Sequence, residues 1–172
     1  MNLDRAVFSE TGELFVDGPS ISPQPVPFSG KFQNLSAHAK FQCGGLSLPL
    51  LNDGIFTVHP KDGKWDWTQE ADENGFVDVT AQFQKPQRIT GFSIYRGTHA
   101  DRDFEALTVI LDGGNQITDI PCPVSPEQRA ASVLIDPVDS SDLHFRFRAK
   151  GSGVPISLSE IMIFGSPEAR VP

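Results

Sequence analysis

Two short segments carry the side chains with the most distinctive chemistry. The first is Trp65-Asp-Trp67, in a stretch rich in polar residues. Sugars stack their C–H faces on indole rings and need planar partners for their hydroxyl groups. Trp65 and Trp67 are therefore candidate sugar-binding residues. The second segment, residues 95–103, places two Arg, one His and two Asp within nine positions.

Both segments also have a purely structural interpretation. One of the two tryptophans can close the bottom of a hydrophobic core instead of facing a ligand. The charged side chains of residues 95–103 can pair among themselves in a solvated loop, where each ion pair contributes little to stability. The sequence leaves both alternatives open.

Two carboxylates are candidate metal ligands. The turn Leu51-Asn-Asp-Gly-Ile55 offers Asp53 and several backbone carbonyls, and Glu160 lies in the approach to the last predicted strand. Calcium takes about six to eight oxygen ligands, which carboxylates and tight turns supply. We predict a structural calcium site at Asp53 and Glu160. In the alternative, Asp53 belongs to a plain turn and Glu160 caps a backbone group or pairs with a cation.

No nucleophilic catalytic motif is visible. The chain lacks Gly-x-Ser-x-Gly, and Gly151-Ser-Gly153 has the composition of a turn. His38, His59 and His144 are dispersed, and we interpret them as structural. Cys43 and Cys122 have no metal-binding spacing, which favours two free thiols. We predict that the chain is not an enzyme.

The charge balance excludes several partners. Lys and Arg number 14 against 22 Asp and Glu, so the net charge is −8. Nucleic acids and anionic membranes attract positively charged surfaces, and we predict binding to neither. No apolar stretch reaches the roughly 18 residues of a membrane span, and residues 1–8 do not resemble a signal peptide. The cellular compartment stays open.

Short alternating segments dominate the chain. We predict strands at 76–83, 89–95, 107–111, 131–135, 143–148 and 156–164. In the fifth, Leu143, Phe145 and Phe147 are predicted to face inward. Turn residues such as Lys85-Pro86 and Asp136-Pro137 separate the segments. This pattern predicts an all-β fold, an antiparallel β-sandwich or barrel.

The first part of the chain has a different character. Residues 10–17 have the pattern of a hairpin, and four Pro fall between residues 18 and 30. We predict a Pro-rich N-terminal arm over residues 1–32 that packs on the sandwich. The β-sandwich is predicted over residues 33–166, and a short tail over 167–172.

A series of ordered pieces carries a family resemblance. They are Asn34-Leu-Ser-Ala-His-Ala39, the turn at residues 51–54, Trp65, the strand pair at 75–86 and 89–94, residues 104–113, and the final strands at 143–148 and 156–165. In this order, the stretch 33–165 resembles the discoidin family, also called the coagulation factor V/VIII (F5/8) type C domain. The resemblance favours a core position for Trp65.

The resemblance implies a fold, a function and site residues. It implies a jelly roll of the galactose-binding-domain-like type, acting as a non-catalytic, lectin-like carbohydrate-binding module for a glycan, with galactose-type sugars the default. It adds Arg96, His99 and Arg102 as candidates for binding sugar hydroxyls, and it supports calcium at Asp53 and Glu160. An extracellular, cell-surface or virion location and an attached catalytic domain are further expectations.

A second function remains open from the sequence. The jelly roll can serve instead as a structural or attachment protein, for example in a virion tail or a cell-surface assembly, with the Pro-rich arm binding a neighbouring chain.

Overall fold

The computed structural model describes residues 5–8, 14–17, 33–56, 64–122 and 130–165. Within these ranges the chain forms eleven strands: β1 (Arg5–Phe8), β2 (Leu14–Asp17), β3 (Gln33–Asn34), β4 (Lys40–Cys43), β5 (Leu46–Ser47), β6 (Trp67–Glu70), β7 (Phe76–Arg96), β8 (Phe104–Leu111), β9 (Gln116–Pro121), β10 (Ala130–Ala149) and β11 (Pro155–Gly165). Helical structure in these ranges consists of 3-10 turns, none long or apolar enough to cross a membrane. The predicted all-β class is confirmed.

The N-terminal hairpin is described by its backbone. β1 pairs antiparallel with β2, from Arg5 opposite Asp17 to Phe8 opposite Leu14, and the two strands form a separate two-stranded sheet. The Pro-rich stretch 18–32 and the tail 167–172 lie outside the described residues. The predicted domain boundaries and the packing of the arm therefore stay predictions.

Two long strands, β7 and β10, build both layers of the sandwich. They pair antiparallel along nearly their whole length. The first half of β7 and the second half of β10 join β4, β8 and β9. The first half of β10 pairs with the second half of β7, and that half of β7 pairs in turn with β11, which also pairs with β3 and β6. Phe92 and Phe145 lie in different halves, yet their rings meet edge to face at 5.7 Å. The two halves therefore pack against each other, as in a jelly roll.

Two prolines that predicted turns lie inside these long strands. Pro86 and Pro137 both fall where the pairing of β7 with β10 is irregular, between Gln82 and Gln87 and between Leu134 and Val138. Proline has no N–H to donate, so it is tolerated where a strand lacks a regular partner. The predicted breaks at these prolines were wrong, because a pairing irregularity accommodates them without ending the strand.

The core follows the predicted alternation. Leu143, Phe145 and Phe147 are buried, while Arg146 and Arg148 on the opposite face are exposed. Phe104 packs against Phe147 with ring centroids 5.2 Å apart. Cys43 and Cys122 are free thiols, as expected.

Removing Phe92 tests this packing between the layers. We expect Phe92→Ala to lower the free energy of unfolding by about 3 to 5 kcal/mol, because it leaves a cavity under Phe145. Urea denaturation measures the change. Leu134→Ala is the matched control in the neighbouring strand β10, because Leu134 is exposed and its loss should cost less than about 0.5 kcal/mol. Equal effects of the two substitutions would contradict the two-layer core.

Candidate functional site

Strand β11 brings the two candidate segments together. Leu158 is the register partner of Trp67, which begins β6, and of Arg96, which ends β7. The start of β6 and the end of β7 therefore lie on either side of β11, which places the tryptophan segment one strand away from the start of residues 97–103.

A buried carboxylate joins the two segments directly. Asp66 is 8% exposed, and its Oδ2 accepts hydrogen bonds from the backbone N–H and the Oγ1 hydroxyl of Thr98, both at 2.8 Å. Because Thr98 lies between Arg96 and His99, the aspartate fixes the loop against the tryptophan segment. Asp66 was not among the predicted site residues.

Gly97 allows the close approach of these elements. Its N–H donates to the carbonyl of Ser157 at 2.8 Å. A Cβ at this position would collide with the Ser157 side chain and lie 2.9 Å from Asp66 Oδ2. Only a residue without a side chain lets the loop lie this close to β11.

The two tryptophans have different environments. Trp65 is 42% exposed and lies in a short 3-10 turn, where the ammonium group of Lys64 is 5.0 Å from the ring centroid. Trp67 is half-buried and packs against the core. The core position that the resemblance favoured for Trp65 is therefore occupied by Trp67. Trp65 presents the larger ring surface to solvent.

Arg96 is held inside the protein. It is 7% exposed, and its Nη1 is 2.9 Å from Oδ2 of the buried Asp103. Cys122 lies beside this pair. Burial, and then the Asp103 charge, raises the pKa of the Cys122 thiol to about 12, while Arg96 acts in the opposite direction. The ion pair therefore connects the start of the loop, at Arg96, to its end, at Asp103.

Replacing Arg96 tests whether its side chain stabilises the fold or faces a ligand in solvent. We expect Arg96→Met to lower the free energy of unfolding by about 3 kcal/mol, because it leaves the Asp103 carboxylate buried without its cation. Thermal and urea denaturation measure the loss. Arg102→Met, at a partly exposed position of the same loop, is the control and should be nearly neutral. Unchanged stability of Arg96→Met would contradict the bracing role.

His99 and Arg102 lie at the two ends of one turn. Residues Ala100–Arg102 form a 3-10 helix, and the Arg102 N–H donates to the His99 carbonyl at 3.0 Å. Both side chains are partly exposed. Trp65 is thus the exposed member of the predicted ligand-binding set, and His99 and Arg102 are partly exposed polar members of it.

The predicted metal ligands also lie close together. The turn after Leu51 is anchored by Asn52, whose side-chain N–H group donates to the carbonyls of Ser36 and Ala39 at 2.9 and 3.2 Å. Asp53 accepts from the Ile55 N–H at 2.8 Å. The next residue, Gly54, has φ of 78° and donates its N–H to Glu160 Oε2 at 3.3 Å.

Glu160 is an unusual carboxylate. It is 1% exposed and lies in β11. Burial first, and then the negative charge of Asp53, raises the pKa of Glu160 to about 8 from its ordinary 4.5. Two carboxylates this close favour either a proton or a cation between them.

Asp53 and Glu160 supply carboxylate oxygens, the ligand type that hard cations prefer. No cluster of three or more His, Cys, Asp or Glu side chains suited to a metal occurs in the described ranges. A calcium ion at this turn would accordingly use Asp53, Glu160 and carbonyl oxygens of the turn. Calcium accepts such mixed oxygen ligands readily, whereas zinc favours His and Cys.

Solved structures provide the comparison with known proteins. A fucose binding module of Streptococcus pneumoniae is 17% identical, covers 80% of this chain and 97% of its own, and has a TM-score of 0.59. An F5/8 type C domain from Bacteroides fragilis is 14% identical, with coverages of 79% and 96% and a TM-score of 0.55. The family 32 carbohydrate-binding module of Clostridium perfringens NanJ, solved with galactose, is 11% identical, with coverages of 77% and 98% and a TM-score of 0.52.

These likenesses establish the fold. The chain has the discoidin-like, F5/8 type C β-sandwich fold, as the sequence resemblance predicted. Neither a protein-family model nor a curated protein sequence matches the chain.

Proposed function

We propose that the chain is a non-catalytic carbohydrate-binding module. The observation that carries this proposal is the Asp66–Thr98 junction, which joins the segment with the exposed Trp65 indole to the loop that carries His99 and Arg102. One solved module of the same fold is named a fucose binding module, and another was solved in complex with galactose, which supports a glycan as the ligand class.

The proposed ligand contacts follow from exposure. Trp65 stacks on the apolar face of a sugar ring, and His99 and Arg102 bind its hydroxyl groups. Trp67 and Arg96, predicted from sequence as ligand residues, act mainly as the packed and braced floor of the site. Stacking and hydrogen bonding of this kind break no bond, so the arrangement favours recognition over catalysis.

We propose terminal galactose- or fucose-type sugars as ligands. A partly exposed surface with one exposed indole buries little of a ligand. The expected dissociation constant is therefore in the range of tens of micromolar to millimolar, or about 4 to 6.5 kcal/mol of binding free energy.

We propose that a structural calcium ion occupies the Asp53–Glu160 turn. Bound there, calcium supplies positive charge that neutralises the two carboxylates. The chain's own residues shape the turn: Asn52 anchors its start, and the Gly54 N–H orients Glu160.

A glycan array followed by calorimetry tests the ligand class. We expect binding to glycans ending in galactose or fucose, reduced by the free monosaccharide. An array without binding at millimolar sugar would overturn the proposal. The attachment-protein alternative then predicts a defined oligomer, which analytical ultracentrifugation of the intact chain detects.

A further inference from the structure

We propose that Asp66 is a positioning residue that makes the tryptophan segment and residues 97–103 one pre-formed ligand surface. This inference rests on the proposed function, because it assigns the residue that organises the same site. Asp66 itself is buried and is not proposed to touch the sugar.

The geometry of the carboxylate carries the argument. A single oxygen, Oδ2, accepts both the backbone and the side-chain donor of Thr98, each at 2.8 Å. Hydrogen bonds to an ionised acceptor are roughly twice as strong as neutral ones. These two bonds fix the backbone of Thr98, and they therefore restrict the orientation of the next residue, His99.

The surroundings of Asp66 leave the loop little freedom. Gly97 donates to the Ser157 carbonyl, and the side chains of Ser157 and Asp66 fill the space where a Cβ of Gly97 would lie. The Ser157 hydroxyl is also 3.3 Å from the hydroxyl of Thr68 in β6. Asp66 thus belongs to a packed polar junction that links β6, β11 and the loop.

Loss of Asp66 should affect binding more than folding. The pairing of Trp67 and Arg96 with Leu158 does not depend on the carboxylate, so the ends of both strands stay in register. Thr98 loses its two hydrogen bonds to the tryptophan segment, and a ligand must then pay more of the cost of ordering the loop. Pre-organisation of this kind contributes to affinity by lowering the entropy lost on binding.

Three substitutions test the role. We expect Asp66→Ala to weaken sugar binding at least about tenfold, the scale of hydrogen bonds to a charged group. Asp66→Asn keeps an acceptor oxygen and should restore most of the affinity. Thr98→Val removes only the hydroxyl donor, should fold, and should weaken binding by about threefold to fivefold. If Asp66→Ala does not fold, Thr98→Val against Thr98→Ser carries the test.

Asp72→Ala is the matched control. Asp72 also accepts two backbone hydrogen bonds, from Asn74 and Phe76 at 2.9 and 2.8 Å, but lies beyond the other end of β6. Its replacement should change the melting temperature without changing the sugar dissociation constant. Asp66→Ala should raise the sugar dissociation constant, whatever its effect on the melting temperature. A folded Asp66→Ala variant with the wild-type dissociation constant would overturn the inference.

Hydrogen exchange needs no ligand, so it tests the role of Asp66 separately from the proposed function. Amide hydrogen exchange of Thr98 should be at least about tenfold faster in Asp66→Ala, since its acceptor is gone, while Ile94 and Ile161 in β7 and β11 should be unchanged. Absence of sugar binding by the wild type overturns the proposed function. Unchanged exchange of Thr98 overturns the positioning role, whether or not a sugar binds.

Discussion

Replacing Trp65 with alanine is expected to abolish glycan binding while leaving the fold intact. Trp65 is 42% exposed, so it contributes ring surface to solvent rather than to the core. Losing the stacking platform should raise the dissociation constant at least about tenfold, or 1.4 kcal/mol, beyond the measurable range of a weak site. Calorimetry with galactose- and fucose-terminated glycans measures the loss, and thermal unfolding should stay unchanged.

Trp67→Ala is the matched variant two residues away. Trp67 packs against the core, so its removal should lower the free energy of unfolding by about 2 kcal/mol, below the cost for a fully buried aromatic ring. The folded fraction should still bind sugar, although less tightly if the segment loosens. If Trp67→Ala instead leaves the free energy of unfolding unchanged and abolishes sugar binding, Trp67 is the stacking residue and the assignment of Trp65 is wrong.

Much of the fold could be predicted because alternation reports burial directly. Val77, Val79, Ala81 and Phe83 point to one side of an extended segment, and all four are buried. β9 was not predicted, because its sequence around Asp119 and Pro121 contains turn-forming residues. The continuity of β7 and β10 across prolines depends on the register of the two strands. Register is a property of the pair, which one strand's sequence does not specify.

The site was predicted in outline but not in detail. The sequence indicated the tryptophan pair and the charged loop 95–103 because both concentrate rare side chains. It could not assign which indole is buried, since the 3-10 turn before β6 breaks the alternation that places Trp65 and Trp67 on one face. Asp66 was missed for another reason: its partner Thr98 lies on a distant segment, and only the folded chain brings them to 2.8 Å.

Glu160 should make the stability of the metal-free protein fall as pH rises. Its pKa is about 8 in the folded protein, against 4.5 ordinarily, because of burial and the nearby charge of Asp53. Below pH 4.5 the Glu160 carboxyl is protonated in both the folded and the unfolded state, so it does not lower the free energy of unfolding. Between pH 4.5 and 8 the unfolded chain releases this proton and the folded chain retains it, so the free energy of unfolding decreases. The total loss is on the order of 5 kcal/mol, since the pKa rises from 4.5 to about 8 and each pKa unit corresponds to about 1.4 kcal/mol.

Calcium should offset part of this loss. The cation favours the ionised form of Glu160, so its stabilising effect should be larger at pH 8 than at pH 5. At a hundredfold excess over the dissociation constant, binding to the folded state alone adds about 2.7 kcal/mol. Differential scanning calorimetry in EDTA and in millimolar calcium, at both pH values, measures the difference.

Glu160→Gln combines both effects in one variant. The neutral amide removes the titration, so the metal-free variant should be more stable than the wild type at pH 8 and should respond little to pH between 4.5 and 8. It should also lose the calcium response, because an essential anionic ligand is gone. Glu105→Gln is the control: Glu105 is exposed, 3.6 Å from Arg148, and its replacement should leave both the pH profile and the calcium effect as in the wild type. If calcium still stabilises the Glu160→Gln variant, this turn is not the metal site. If the free energy of unfolding of the metal-free wild type does not fall toward pH 8, Glu160 does not retain its proton in the folded protein.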